Sequence, residues 1–98
     1  MTLHPDVQAF ASLLQNIEAV LIAHGERHWA AQVSRCLTFV EGSGAQGARL
    51  FLSFFGGMGS LNDLQLHRDG QPLPVENHQF LALLTQAWEA GRHLVRND

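Results

Sequence analysis

The hydrophobic residues near the start of the chain recur at the spacing of an amphipathic α-helix. They follow one another at steps of three and four residues: Val7, Phe10, Leu14, Ile17 and Leu21. This spacing places the side chains on one helical face, where they can enter a core. Pro5 suits the first helical position, Asp6 suits the positive end of the helix dipole, and Gly25 is a typical stop. The pattern predicts a first helix over about Pro5 to His24.

A second stripe with the same period follows Gly25. It consists of Trp29, Val33, Cys36, Leu37 and Val40. Gly42 comes directly after this stripe, at the position where a left-handed residue often caps a helix. Because the connection around Gly25 and Glu26 is short, we expect the first two helices to lie side by side as a helical hairpin.

The next residues predict a third helix that ends at Gly56, although a strand is also compatible with them. Ser43 and Gln46 have the spacing of a capping box. An apolar run follows and includes Leu50, Phe51, Phe54 and Phe55. Gly44 and Gly47 weaken the helix, and the run LFLSFF between glycines would also fit a buried strand.

Two structures are compatible with the segment that precedes the last helix. A second capping-box pattern, at Ser60 and Asp63, would start a short helix or turn. Alternatively, residues from about Leu64 to His67 form a strand that turns at Asp69-Gly70, a typical hairpin dipeptide. The prolines that follow would then confine the returning strand to a sheet edge.

The end of the chain carries the pattern of a long final helix. Its apolar face comprises Phe80, Leu81, Leu84, Ala87, Trp88, Leu94 and Val95. Asn77 is a favourable N-cap, and the cationic residues Arg92, His93 and Arg96 lie near the expected negative end. The patterns together predict a mostly α fold. We expect residues 1–98 to form one domain, a compact bundle of about four helices with an irregular or short β segment between helices three and four.

The composition indicates a well-packed globular protein with apolar residues to spare for an interface. Charged residues make up 15% of the chain and hydrophobic residues 46%, whereas a typical chain has about 25% charged residues. The apolar surplus favours a dimer or a partner interface. The single cysteine, Cys36, cannot form a disulfide within the chain, and the first residues do not resemble a signal peptide. We therefore expect a cytoplasmic protein.

The charged residues exclude several chemistries. The chain has six arginines, no lysine and nine acidic residues, which gives a formal net charge of −3. Nucleic acid is not an expected partner, because the arginines are scattered and form no basic stripe. Without lysine there is no Walker-type phosphate loop and no Schiff-base mechanism. No membrane association is expected either, because no apolar run approaches the ~20 residues of a transmembrane helix.

The stretch FGGMGSLND, Phe55 to Asp63, is the most distinctive part of the sequence and is called the glycine turn below. Its glycines could let backbone amides form a small nest for an anion or a peptide backbone. A structural turn, in which one helix stops and a capped helix restarts, explains the same residues except Met58. An exposed methionine suits an adaptable contact surface. The candidate binding residues are Gly57, Met58, Gly59, Asn62 and Asp63.

Other chemistry-bearing residues favour structural roles. His24 and His28 have the spacing of helical metal ligands, but Gly25 between them breaks the helix. Cys36 lies on an apolar helix face, where burial makes a thiol inert. No catalytic residue, metal ligand or cofactor is predicted.

Two further groups of residues also favour structural roles. Polar residues bracket the irregular segment, as His67-Arg68-Asp69 and Glu76-Asn77-His78. They could support acid–base chemistry if a cleft gathered them, but a solvated loop is the commoner case. Trp29 and Trp88 both occupy core positions of their helices.

The sequences GERHWA, from Gly25, and FGGMGSLNDL, from Phe55, resemble a family of small uncharacterised bacterial proteins, a domain of unknown function. In that family a Trp-bearing helix precedes a nearly fixed Gly-Gly-Met-Gly-Ser turn and an Asn-Asp pair. The resemblance spans about Gly25 to Leu64, with a less distinctive helical match from Asn77 to Leu94. It implies a bacterial source and no established activity, and some relatives resemble accessory factors that neutralise toxins.

These observations predict a non-catalytic protein-binding module that docks through the glycine turn, with an immunity or inhibitor factor as one form of it. Its partner would be another protein or a second copy of the chain. The alternative is a small-ligand-binding protein or an enzyme that uses Asp63 with a nearby histidine, His67 or His28. That alternative depends only on polar residues that cluster beside a flexible turn.

Overall fold

The computed structural model describes residues 4–56 and 58–97 of the 98-residue chain. The described residues form four α-helices with a small hairpin before the last one. The helices are α1 (Pro5–Ala23), α2 (Arg27–Gly42), α3 (Gly44–Leu52) and α4 (Pro74–Arg96). A 3-10 turn (Leu61–Asp63) and the two-residue strands β1 (His67–Arg68) and β2 (Gln71–Pro72) lie between α3 and α4. The radius of gyration is 13.3 Å, close to the ~13 Å of a compact domain of this length. The predicted fold class is confirmed.

The core lies where the four helices meet. Both α1 and α3 pack against α2 and α4, so the four elements close around one apolar centre. The stripe on α1 supplies that centre, because Phe10, Leu14, Ile17 and Leu21 are fully buried. The Phe10 ring meets the Phe51 ring of α3 edge-on, with 5.8 Å between centroids, a favourable aromatic geometry. The helical period of the sequence therefore identified the core-facing side of α1.

A single residue, Ser43, connects α2 to α3. Its backbone is extended, with φ −159° and ψ 114°, and its hydroxyl accepts a hydrogen bond from the amide of Gln46 at 3.2 Å. The predicted N-cap of α3 is thus confirmed. The predicted left-handed cap at Gly42 is wrong, because Gly42 is the last residue of α2 and has no positive φ. The extended Ser43 makes the corner instead.

Helix α3 ends earlier than its apolar run suggests. It stops at Leu52, four residues before the predicted end at Gly56, so both the longer helix and the strand were wrong for the end of this run. The reason lies in the carbonyl acceptors. The amides of Phe54 and Phe55 bond to carbonyls only three residues back, at 3.0 and 3.2 Å, so the chain leaves the α-helix, and the carbonyl of Phe54 accepts from the amide of Leu61 at 2.8 Å. The chain thus folds back on the end of α3 after the glycine turn.

The segment before α4 contains a turn and a hairpin, so each of the two alternatives describes part of it. The 3-10 turn is only three residues long and does not reach His67. Strands β1 and β2 pair antiparallel around Asp69 and Gly70, whose φ values of 53° and 79° are both positive. Tight hairpin turns of the primed type need such values, and Asp-Gly supplies them readily.

Asn77 does not cap α4, contrary to the prediction. The helix begins at Pro74, since proline fits a first turn whose amides lack helical partners. The Asn77 side chain instead accepts from the amide of Leu66 at 2.7 Å and donates to the carbonyl of Leu66 at 3.1 Å. Asn77 therefore attaches the residue before the hairpin to the first turn of α4.

Candidate functional site

Hydrogen bonds within the chain fix the glycine turn. Gly56 and Gly59 adopt positive φ values of 94° and 78°, as the sequence predicted for this bend. The Asn62 side-chain oxygen accepts from the amide of Gly56 at 3.4 Å and from the hydroxyl of Ser60 at 2.5 Å. The Asp63 carboxylate accepts from the amide of Gly59 at 3.2 Å. Side chains from the far end of the turn thus hold its backbone in place.

This geometry corrects the expected capping box at Ser60. The Ser60 side chain makes no capping bond to the 3-10 turn, because its hydroxyl donates to Asn62 instead. The amides of Gly56 and Gly59, two that a nest would offer to an anion, already have side-chain acceptors within the chain. The turn is therefore better suited to presenting a surface than to holding an anion.

Met58 lies at the tip of the glycine turn with 100% of its side chain exposed. Gly59, Asn62 and Asp63 are exposed as well. Gly57, the remaining predicted binding residue, lies outside the described residues. Since water surrounds Met58 in the isolated chain, its thioether and methyl group are available for contact with another molecule.

An apolar groove borders the glycine turn and was missed by the sequence reasoning. Its volume is about 390 Å³. It is lined by Phe55, Asn62, Leu81, Leu84, Thr85, Trp88 and Glu89 and is called the α4 groove below. Leu81, on its wall, is 54% exposed. Phe55 and Asn62 belong to the glycine turn and also line the groove. The turn and the groove therefore form one continuous surface.

A second groove continues the first along α4. Its volume is about 290 Å³, and it shares Asn62, Leu81 and Leu84 with the α4 groove. Leu64, Pro74 and the exposed His78 also line it. The two grooves together form a long concave surface between α4 and the segment that follows α3.

The apolar face of α4 is wider than its buried stripe, which explains why the groove exists. Phe80, Leu84, Ala87 and Gly91 form the buried stripe, while Leu81 and Trp88 lie on the flank of that stripe. One residue along a helix is a rotation of about 100°, so these two side chains point partly past the core. The unusual width of the apolar face was the signal in the sequence that could have predicted the groove.

Trp88 corrects a second expectation, because it is half-buried at the groove rather than enclosed in the core. The Arg92 guanidinium lies over its ring, 4.6 Å from the centroid, in a cation–π contact. Glu89 lines the same groove. The edge of the groove therefore carries one negative and one positive side chain on neighbouring turns of α4. Trp29 is half-buried as well, but it packs against the core and contacts the Phe54 ring.

Two histidines of the candidate sites, His24 and His67, have local partners. His24 Nδ1 lies 2.8 Å from the carbonyl of Val20, and Gly25 separates His24 from His28 at the start of α2. His67 Nδ1 lies 2.8 Å from the carbonyl of Gln65. Within residues 4–56 and 58–97, no three His, Cys, Asp or Glu side chains are grouped so that they could hold a metal ion.

Asp63 has no recorded histidine partner in the described part of the chain, since its carboxylate bonds to the Gly59 amide. No observation therefore favours the alternative in which Asp63 acts with His67 or His28. Cys36 is fully buried on α2. Burial in apolar surroundings raises the pKa of the Cys36 thiol to about 12, against a smaller opposing effect of Arg35. The thiol is thus protonated at neutral pH and a poor nucleophile.

Comparison with known proteins gives a family but no activity. A family described as a domain of unknown function (DUF6966) matches residues 22–74, which include α2, α3, the glycine turn and the hairpin. Neither the curated proteins nor the solved structures contain a match to the chain. None of the described helices is both long and apolar enough to cross a membrane.

Proposed function

Since the chain belongs to the family described as Domain of unknown function (DUF6966), which supplies no activity to transfer, we propose its function from its own surface. The protein is a non-catalytic protein-binding module, and its docking site is the α4 groove together with the glycine turn. The observation that carries this proposal is a fully exposed Met58 on a fixed turn at the edge of an apolar groove.

The apolar character of this surface supports a protein partner. Leu81, Trp88 and Phe55 expose part of their side chains around a concave groove. Leaving such surface in water is unfavourable by about 25 cal/mol per Å². Contiguous apolar patches on soluble proteins mark sites of interaction with other molecules. Binding a partner would remove this surface from water.

The hydrogen bonds of the glycine turn support docking because they reduce its freedom before binding. Asn62 and Asp63 bond to two of the turn's amides. A loop that is already ordered loses less conformational entropy when a partner covers it. The polar residues of the turn thus position Met58, and Met58 together with the groove makes the contact.

The chemistry of the site supports binding rather than catalysis. The thiol of Cys36 is fully buried, and the Asp63 carboxylate stabilises the turn. The groove itself presents mainly hydrocarbon, with the Asn62 amide, the Thr85 hydroxyl and one carboxylate, Glu89. Such a surface can hold an apolar side chain or helix of another protein.

We extend the proposal to an immunity- or inhibitor-type factor that acts in a bacterial cytoplasm. The support is the resemblance of the glycine turn to small bacterial accessory proteins and, for the cytoplasm, the single cysteine, which cannot form a disulfide within the chain. Such factors act by covering the surface of another protein, which is what an apolar groove with a protruding side chain can do.

Site-specific photocrosslinking in the native host tests the proposal. A benzophenone amino acid replaces Met58, and in a matched control it replaces Phe39. Phe39 is also exposed, at 44%, but lies on α2, which contributes no residue to the α4 groove. We expect protein adducts from position 58 and none from position 39. The adduct is identified by mass spectrometry, and its affinity is then measured with purified components.

The affinity measurement decides the outcome. Leu81→Asp should weaken binding of the identified partner at least about tenfold, since it places a charge in a desolvated apolar contact. Circular dichroism verifies that the variant is folded. If position 58 yields no adduct, or if Leu81→Asp binds like the wild type, the proposed docking site is wrong.

A further inference from the structure

We infer that the occupant of the α4 groove is a second copy of this chain, so that the protein forms a symmetric dimer. This inference rests on the proposed function and specifies its partner: a second copy fills the groove in place of the separate target that an immunity- or inhibitor-type factor would cover. In the dimer, Met58 of each copy enters the α4 groove of the other.

The surface contains both a protrusion and a matching cavity. Met58 protrudes from the glycine turn, and the α4 groove lies beside it, with Asn62 common to both. A two-fold dimer uses the same patch on both subunits, so that patch must be complementary to itself. A convex apolar side chain next to a concave apolar groove meets this requirement, because a two-fold rotation exchanges the two features.

The charges at the edge of the groove are also complementary to themselves. Glu89 lines the groove and Arg92 covers Trp88 one turn further along α4. A two-fold axis brings the edge of one copy against the same edge of the other, where the two signs can alternate. A different partner of strong charge would instead favour an edge of a single opposite sign. The mixed edge therefore favours a second copy.

The surface offers apolar side chains for a modest interface. A standard interface would cover about 800 Å² on each partner, which is roughly an eighth of the 6049 Å² of surface of this chain. The two grooves and the glycine turn run along much of α4 and include two of the five exposed large apolar side chains among the described residues, Met58 and Leu81. Polar and charged groups at the edges limit the gain, so we expect dissociation in the micromolar range.

Sedimentation velocity over a range of protein concentrations tests the inference. The wild type should show a concentration-dependent monomer–dimer equilibrium. Met58→Asp and Leu81→Asp should each shift the dissociation constant upward by at least about tenfold, because both place a charge in the contact. Ile22→Asp is the matched control: Ile22 is 63% exposed but lies on α1 and lines neither groove. It should dimerise like the wild type.

A mixture of two variants with opposite charges tests the geometry itself. Met58→Asp puts a negative charge on the protruding side chain but keeps the groove, whereas Leu81→Arg puts a positive charge in the groove but keeps Met58. In a mixed dimer one contact is unaltered and the other pairs the two opposite charges, so the mixture should associate more tightly than either variant alone. If the mixture shows no gain, Met58 does not enter the groove of the other copy.

The crosslinking experiment separates this inference from the function on which it rests. A wild-type protein that stays monomeric up to millimolar concentration overturns the dimer. If position 58 then crosslinks to a different protein, the docking site stands and its occupant is that protein. If position 58 crosslinks to nothing, both proposals fail. Equal loss of the dimer in Ile22→Asp would also contradict the inference.

Discussion

Asn62 and Asp63 stabilise the glycine turn through hydrogen bonds to the turn's own backbone. The sequence pattern placed both residues at a bend with polar contacts, and the structure gives those contacts to Gly56 and Gly59. The pattern did not show which backbone amide each side chain accepts from, because that depends on which glycines have positive φ values. The two side chains are therefore first of all parts of the turn.

We predict that Asp63→Ala lowers the free energy of unfolding by about 1 kcal/mol, the usual effect of removing a carboxylate that caps backbone amides. Asp63→Asn keeps an oxygen acceptor and should retain most of that stability. Urea denaturation of the three proteins measures the difference. An Asp63→Ala variant that is as stable as the wild type but fails to bind its partner would make Asp63 a contact residue instead.

The burial of Cys36 can be tested by titration, because few other groups of this chain change their charge in the same pH range. The chain contains no lysine and no tyrosine, so Cys36 is the one side chain whose ordinary pKa lies between about 8 and 11. Folding raises the pKa of this thiol to about 12, chiefly because burial disfavours the thiolate. The unfolded chain therefore loses its thiol proton at a lower pH than the folded one does.

The sign of the pH dependence follows from this difference. Between about pH 8.5 and pH 12 the folded state holds more protons, so the free energy of unfolding falls as pH rises, by up to about 1.4 kcal/mol per pH unit. Below that range the contribution is fully present. We predict this decline in urea denaturation at pH 8, 9 and 10, and its absence in Cys36→Val. Equal slopes in both proteins would mean that Cys36 is not buried as described.

At the scale of elements, the junction of α2 and α3 depends on a glycine that the sequence presented as a weakness. A Cβ on Gly47 would lie 2.9 Å from the carbonyl oxygen of Cys36, because the two helices approach closely there. Gly42, at the end of α2, has no neighbouring atom within 4 Å of such a Cβ. Helix propensity alone would rank these two glycines as equal defects. Only the packing distinguishes them.

We predict opposite effects of alanine at these two glycines. Gly42→Ala should raise the free energy of unfolding by about 0.5 kcal/mol, since alanine is the better helix former and meets no obstacle. Gly47→Ala should lower it by about 1–3 kcal/mol, because the steric conflict with α2 exceeds the gain in propensity. Thermal unfolding of both variants checks this. Stabilisation in both would contradict the close approach of α2 and α3.

The sequence predicts an element well when the residues that fix its ends are close to it in the chain, and poorly when their hydrogen-bond partners are distant in sequence. The bounds of α1 follow from its apolar period and from Gly25, all of which are local. The end of α3 and the role of Asn77 do not follow from local residues. The Phe54 carbonyl accepts from the amide of Leu61, and the Asn77 side chain bonds to the backbone of Leu66. These partners come close only when the chain folds back on itself. The hairpin was hard to predict for another reason: its two-residue strands are too short to show an alternation of apolar and polar residues.

At the scale of the whole molecule, the same property produces the core and the docking site. Helix α4 carries more apolar residues than the interior can enclose, so one stripe faces the core and its flank, with Leu81 and Trp88, faces the α4 groove. The low share of charged residues pointed to such a surplus but not to its position. The position of this apolar surface could not be predicted, because it depends on the chain after α3, which returns beside α4 and carries the glycine turn with it.

The most direct test of self-association through the docking surface is a series of ¹H–¹⁵N spectra of the uniformly labelled protein, recorded from about 10 µM to about 1 mM, the range in which a micromolar dimer dissociates. The account predicts concentration-dependent shifts of the backbone amides of the glycine turn, of residues 78–92 and of the Trp88 indole. The amides of α2 should stay in place. Shifts that concentrate on α2, or spectra that do not change with concentration while the protein remains folded, would contradict it.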